Sequence, residues 1–271
     1  MSLQVSRERR GLVMGERLAP FHRTQHELVI SQPNLRALRA EVRDLQGRNK
    51  ELNAFARTVA HDLKSPLGTM VCLASVLHKE FGELSVEEQQ KYLGDMVRVA
   101  RKMSNIVDEL LLLAEVSDAE VVIHPLDMAT VVAAAQERLV HMIQDYQAEI
   151  ILPATWPAAE GYKPWIEEVW VNYLSNAIQY GGTPPLIELG GELQADSMAR
   201  FWVRDNGAGI TPVDQARLFK PFTRLSSMRA MGHGLGLSVV LDIVTKLGGQ
   251  VGVNSAPGQG STFSFTLPGG W

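Results

Sequence analysis

Only one cysteine, Cys72, stands among the 271 residues, so no internal disulfide can form, and the chain fits a reducing compartment. No run approaches the roughly 18 apolar residues that a membrane-spanning helix needs. The first residues lack the apolar stretch of a secretory leader. No internal repeat or low-complexity tract appears. These absences predict a soluble, cytoplasmic chain with no membrane span. Neither sign of charge dominates, since 26 Lys/Arg oppose 30 Asp/Glu. Residues 1–60 hold 11 Lys/Arg against 6 Asp/Glu, and the remainder 15 against 24. A basic arm of that kind suits nucleic acid or anionic lipid. Its charges alternate in sign from Arg36 to Glu51, however, as on a solvated helix. With no basic stripe interleaved with aromatics, direct nucleic-acid binding is not expected. Hydrophobic residues make up 45% and charged residues 21%, which excludes disordered, collagen-like and disulfide-stapled classes. The length suggests two domains.

From Leu35 a pattern emerges. Leu35, Leu38, Val42, Leu45, Asn49, Leu52, Ala56, Val59 and Leu63 follow alternating 3- and 4-residue steps, a heptad seam. One helix in water cannot satisfy such a seam, which argues for a parallel coiled-coil dimer. The alternative is a helix packed on its own domain. Asn49 at an inner position would set register and strand number. The period continues past Pro66 through Leu67, Met70, Ala74 and Leu77, and Phe81-Gly82 ends the helix. Ser85-Val86-Glu87-Glu88 reads as a capping box. A second helix follows, with Leu93, Met96, Ala100, Met103, Val107, Leu110 and Ala114 on one stripe. Two such hairpins in a dimer make a four-helix bundle.

After Ser117-Asp118 the character changes. Val121–His124, Glu149–Leu152, Leu186–Leu189, Phe201–Arg204, Val251–Asn254 and Thr262–Leu267 read as strands. Met128–Ile143, Pro164–Tyr180 and Leu235–Leu247 read as helices. Together they predict one α+β sandwich.

Four segments carry chemistry-bearing residues. In His61-Asp62-Leu63-Lys64-Ser65-Pro66, the heptad phase puts His61 at the most exposed position. An exposed imidazole is largely neutral at pH 7 and nucleophilic through one nitrogen. Asp62 is placed to orient the other nitrogen or take its proton, and Ser65 lies one turn on along the same face. Pro66 removes a helix hydrogen bond and predicts a bend. A surface histidine without function is the plainer reading. Asn172, Asn176 and Tyr180 share one helix face, and an amide oxygen is a hard ligand suited to Mg²⁺; a solvated face is the alternative. Asp205-Asn206-Gly207-Ala208-Gly209-Ile210 follows a strand, and its carboxylate could accept from an adenine amino group; a tight turn is the alternative. Gly232-His233-Gly234-Leu235-Gly236-Leu237 opens a helix whose free amides attract phosphate. It lacks the Gly-Lys-Ser/Thr of a P-loop, and its glycines do not fit a Rossmann turn.

Weak singly, these segments in this order resemble the transmitter of a two-component sensor histidine kinase. The resemblance covers about residues 34–267. His61–Pro66 matches its H box, Asn172–Tyr180 its N box, Asp205–Gly209 its D box, Leu218-Phe219-Lys220-Pro221-Phe222 its F box and Gly232–Gly236 its G box. It implies a helical hairpin dimerising into a four-helix bundle, followed by an α+β Bergerat-fold ATP-binding domain. The domains would be residues 1–33, a lead-in or sensor remnant; 34–117, the coiled coil and phosphotransfer domain; and 118–271, the catalytic domain. Carried over, His61 receives the γ-phosphoryl group of ATP with Asp62 as acid/base. Asn176 holds Mg²⁺, Asn172 supports the polyphosphate, Asp205 reads adenine and Tyr180 lines the pocket. Gly207, Gly209, Phe219, Gly232, Gly234, Leu235 and Gly236 complete the nucleotide site. Arg224 meets the γ-phosphate, and residues 223–233 form a lid. Ser65 matches the place that in this family positions water to dephosphorylate the partner regulator. Gln179 stands where the family often has a phosphate-contacting lysine, and His233 where threonine is frequent. The implied partners are a second copy, the receiver domain of a response regulator and an upstream sensor protein or domain. Two other classes compete: an ATP-driven conformational machine of the same nucleotide-binding superfamily, and a signalling scaffold with a silent site. The intact His61–Pro66 turn argues against the first; Asn176, Asp205, Gly234 and Gly236 argue against the second.

Overall fold

The computed structural model describes residues 21–219 and 235–270, in two units, residues 1–57 and 58–271. In the first unit the chain is helical from Phe21, within α1 (Phe21–Glu80). Leu38, Val42 and Leu45 of the heptad seam are exposed. The Asn49 side-chain oxygen accepts from Asn53 Nδ2 at 2.7 Å.

In the second unit, α1 continues through Pro66, which is buried, and ends at Glu80 ahead of Phe81-Gly82. The turn is held by Gln89, whose Nε2 donates to the Phe81 and Leu84 carbonyls. Helix α2 (Val86–Asp118) opens on the expected capping box, with Ser85 accepting from the Glu88 amide and Glu88 accepting from the Ser85 amide. Its apolar residues divide where one stripe was expected. Tyr92, Met96, Val99, Met103, Ile106, Leu110 and Leu113 are buried or half-buried in 4-3 steps, whereas Leu93, Val97, Ala100, Val107, Leu111 and Ala114 are exposed. Two apolar edges on one helix require two partners, of which a single chain supplies one.

The α+β region follows. A five-stranded sheet has the order β2-β4-β5-β7-β6, from β2 (Glu149–Ile151), β4 (Leu186–Leu193), β5 (Met198–Asp205), β6 (Val251–Ser255) and β7 (Ser261–Pro268). Among the described strands only the β2–β4 pair is parallel. A two-stranded antiparallel sheet joins β1 (His124–Leu126) to β3 (Ala159–Gly161). The helices are α3 (Met128–Arg138), α4 (Val140–Tyr146), α5 (Lys163–Tyr180), α6 (Pro212–Gln215) and α7 (Gly236–Lys246).

Two further expectations are corrected. The strand expected at Val121–His124 pairs at His124–Leu126, because its partner β3 lies opposite those residues; Val122 and Ile123 are left exposed. The helix expected over Met128–Ile143 breaks at Leu139, whose ψ of 8° leaves the helical region. Arg138, at that break, is held by Glu167 and Glu168 of α5 at 3.2 and 2.7 Å. Two elements were not anticipated: β3, too short and too poor in β-branched residues to show, and α6, whose Thr211 cap accepts from the Asp214 amide.

Period-2 alternation turns Ala199, Phe201, Val203 and Asp205 of β5 inward, along with Ser261, Phe263, Phe265 and Leu267 of β7. They pack on α5, where Trp165, Ile166, Val169, Trp170, Tyr173, Leu174, Ala177 and Ile178 are buried. Trp170 meets Phe265 edge-on at 5.4 Å between ring centroids, and Phe265 stacks on Phe201 at 5.3 Å. Fully burying each such side chain is worth about 1.5–3 kcal/mol, enough to hold α5 rigidly and so to fix the less buried face that carries Asn172 and Asn176.

Candidate functional site

Two groups of residues are assembled. The first lies on α1. His61 is 77% exposed at its side chain and Asp62 only 10%. The His61 Nδ1 is 3.1 Å from Asp62 Oδ1. With Nδ1–H donated to the carboxylate, the lone pair sits on Nε2, which faces solvent. Adjacent helix positions point in different directions around the axis, so the Asp62 side chain is sheltered while the His61 ring stays open. Ser65 is exposed one turn further on.

The second group is built around α5 and the segment after β5. Asn176 Nδ2 donates to Asn172 Oδ1 at 3.1 Å. That bond fixes both amides and leaves Asn176 Oδ1, a hard oxygen, without a partner among the described residues. Gly236 begins α7 against Asn172, and a Cβ there would run into Asn172 Nδ2. Glycine is therefore what lets the start of α7 approach α5. Leu235, which is buried, gives that start no side-chain cap, and among the described residues the Gly236 and Leu237 amides are placed to meet an anion.

Asp205 is buried at the end of β5 because strand parity points it inward. The Gly207 and Ser261 amides both donate to its Oδ1, at 2.8 and 3.2 Å, and Ser261 is its register partner on β7. Oδ2 has no partner among the described residues. Burial pushes this carboxyl above its ordinary value, against the two amides, which lower it. A buried carboxylate with one spoken-for and one free oxygen is a directional acceptor for an N–H donor.

The loop after Asp205 is braced by residues that sequence reading gave no role. Asn206 Oδ1 accepts from the Gly182 and Leu186 amides, and its Nδ2 donates to the Pro184 carbonyl. Gln215 Nε2 donates to the Ile210 and Ser255 carbonyls, and Ser255 Oγ accepts from the Ile210 amide. Gly209 has φ +72°, and a Cβ there would meet the Ala256 carbonyl. Only the Asn-Gly dipeptide signalled any of this; Ser255, Ser261 and Gln215 come in through long-range register.

Gly207 lies against the Tyr180 carbonyl, bringing the end of α5 to the Asp205 turn. Gln179 and Tyr180 are half-buried, and Phe219 is half-buried against the core. Arg224, Gly232, His233, Gly234, the Lys220–Phe222 part of the F box and the expected lid at 223–233 lie outside the described residues. No cluster of three His, Cys, Asp or Glu side chains able to hold a metal occurs among the described residues, and no described helix is long and apolar enough to cross a membrane. A groove of 490 Å³ beside β1, lined by Leu126, Tyr162 and Lys163, touches neither group.

Residues 51–118 match the His Kinase A (phospho-acceptor) domain. Residues 161–270 match the histidine kinase-, DNA gyrase B- and HSP90-like ATPase family. With both domains in this order, the chain belongs to the transmitters of two-component sensor histidine kinases. It is 31% identical over 227 residues to cyanobacterial phytochrome B of Nostoc sp., covering 83% of this chain and 30% of that protein. It is 30% identical over 222 residues to the sensor-like histidine kinase SenX3 of Mycobacterium tuberculosis, covering 79% and 53%. The chain thus spans about 30% and 53% of the length of these two curated relatives. In fold it is similar to the Acinetobacter baumannii histidine kinase AdeS, with TM-score 0.61, 22% identity and coverage of 78% of this chain and 98% of that one. It is likewise similar to histidine kinase ThkA in complex with the response regulator TrrA, with TM-score 0.65, 18% identity and coverage of 83% and 64%.

Proposed function

We propose that the protein is an ATP-dependent protein-histidine kinase that phosphorylates its own His61 and passes the group to an aspartate of a response regulator. The observation that carries this reading is the Asp62–His61 pair, with Nδ1 engaged and Nε2 open, on a chain that also holds an ATPase-family domain. Nε2 attacks the γ-phosphorus, the bond to the ADP oxygen breaks, and Asp62 stabilises the charge that grows on the imidazole. Positioning and charge neutralisation carry such a transfer.

Asp205 Oδ2 would accept from the adenine amino group, with Tyr180, Gly207, Gly209 and Phe219 around the base. The start of α7, with Leu235 and Gly236, would bind phosphate oxygens. Asn176 Oδ1 suits Mg²⁺, which would neutralise phosphate charge, and Asn172 holds that amide in place. Arg224, Gly232 and Gly234 join this assignment from sequence alone, and Gln179 would replace a charged phosphate contact by an amide. Ser65, one turn from His61, suits a water-directing role in dephosphorylating the regulator. The active form is a homodimer, driven by the exposed apolar edges of α1 and α2.

Labelled ATP tests the reading. Label on the protein should be acid-labile and alkali-stable, as phosphohistidine is. His61→Gln should abolish it while nucleotide affinity stays within about twofold, because His61 and the nucleotide groups lie on different elements. Comparable phosphohistidine in the variant overturns the assignment.

A further inference from the structure

Lys246 is the last residue of α7, the helix whose first residue, Gly236, lies against Asn172. Its Nζ donates to the Val116 carbonyl at 2.5 Å and the Ser117 carbonyl at 2.9 Å. Those are terminal carbonyls of α2, which no following turn can satisfy. The negative end of α2 has no basic residue in its own last turn, so α7 supplies the cation that completes it. The same ammonium lies 5.8 Å from the centre of the Trp165 ring. Trp165 is buried in the first turn of α5, the helix that carries Asn172 and Asn176. One side chain thus joins the end of the phosphoacceptor hairpin to both helices that shape the candidate nucleotide site. Val116 is buried beside this junction, and Leu112 and Leu113 pack on the same core.

We infer that Lys246 is a positioning residue for phosphoryl transfer: its bridge from α7 to α2 sets how the nucleotide site is presented to the bundle. This rests on the kinase reading above. Lys246 has no place in the nucleotide site itself, so its loss should act on transfer rather than on binding. A loosened junction spreads the γ-phosphate over more positions and lowers its effective concentration at the imidazole.

The test uses the full chain, labelled ATP at saturation and, separately, equilibrium binding of the non-hydrolysable analogue AMPPNP. Lys246→Met should slow phosphohistidine formation about tenfold, with AMPPNP affinity within about twofold of the parent's. Lys246→Arg, which also donates to two carbonyls and faces an aromatic ring, should restore most of the rate. A Lys246→Met rate equal to or above the parent's overturns the role. So does a slowdown matched by an equal loss of AMPPNP affinity, or an arginine variant as impaired as the methionine one. Should the methionine variant misfold, Lys246→Gln, which keeps a donor without the charge, is read by the same criteria. A parent chain that forms no phosphohistidine overturns the kinase reading and this role with it, whereas a labelled parent with an equally fast variant overturns this role alone.

Discussion

Glu109 shows how much one buried oxygen can weigh. It lies on α2 with its Oε2 shut away from water and without a hydrogen-bond partner among the described residues. Burial raises its carboxyl from 4.5 to about 7, because no charge or donor among the described residues offsets the loss of hydration. Between those values the unfolded chain releases the proton and the native chain keeps it. The stabilisation is therefore complete below pH 4.5 and lost as pH climbs through 7. Glu109→Gln retains the uncharged form at every pH. It should match the parent's thermal stability near pH 4.5 and exceed it at pH 8, by at most about 3 kcal/mol. Paired melting curves at the two pH values check this, and an unchanged difference between parent and variant across that range would refute it.

Elements differ in how openly their sequence declares them. The hairpin was legible because its signals are local: Ser85 and Glu88 sit three apart, and the heptad spacing needs no knowledge of a partner. The division of the α2 residues into two edges was not, since Leu93 and Met96 differ in exposure only once α2 has a neighbour. Helix α6 could have been found from Thr211-Pro212-Val213-Asp214, which joins a cap, a first-position proline and an acidic third residue. Strand β3 has no such mark, for Ala-Glu-Gly pairs only because β1 lies beside it. The start of α7 gives a test at this scale. Gly236→Ala keeps an acceptable helical backbone but forces Asn172 away from its contact with Asn176. Loss of a hydrogen bond worth about 1 kcal/mol should weaken AMPPNP binding roughly fivefold, with the fold intact. Calorimetric titration measures it, and unchanged affinity would remove Asn172 from the binding account.

The whole molecule is unfinished as a single chain. Leu38, Val42 and Leu45 are 56%, 44% and 56% exposed, and on α2 Leu93, Val97, Val107 and Leu111 are similarly open. At about 0.8 kcal/mol per buried CH₂, covering these edges in a symmetric pair exceeds the roughly 4–15 kcal/mol cost of association. Sedimentation at micromolar concentration should give twice the 29.9 kDa chain mass, and Leu111→Glu should shift it toward the monomer. A well-folded parent monomer would contradict this reading. The candidate site was readable as residue types in order, which is how Asp205 and Asn176 were singled out. What held them in place was not, because Ser261 reaches Asp205 only through the pairing of β5 with β7. That pairing also limits how the chain can change in length. Inserting or deleting one residue between Phe201 and Asp205 would reverse which face every later side chain of the strand occupies, sending the carboxylate to water while leaving the sheet able to form. The turn at residues 194–197 carries no such parity, so a change of length there would leave Asp205 facing inward.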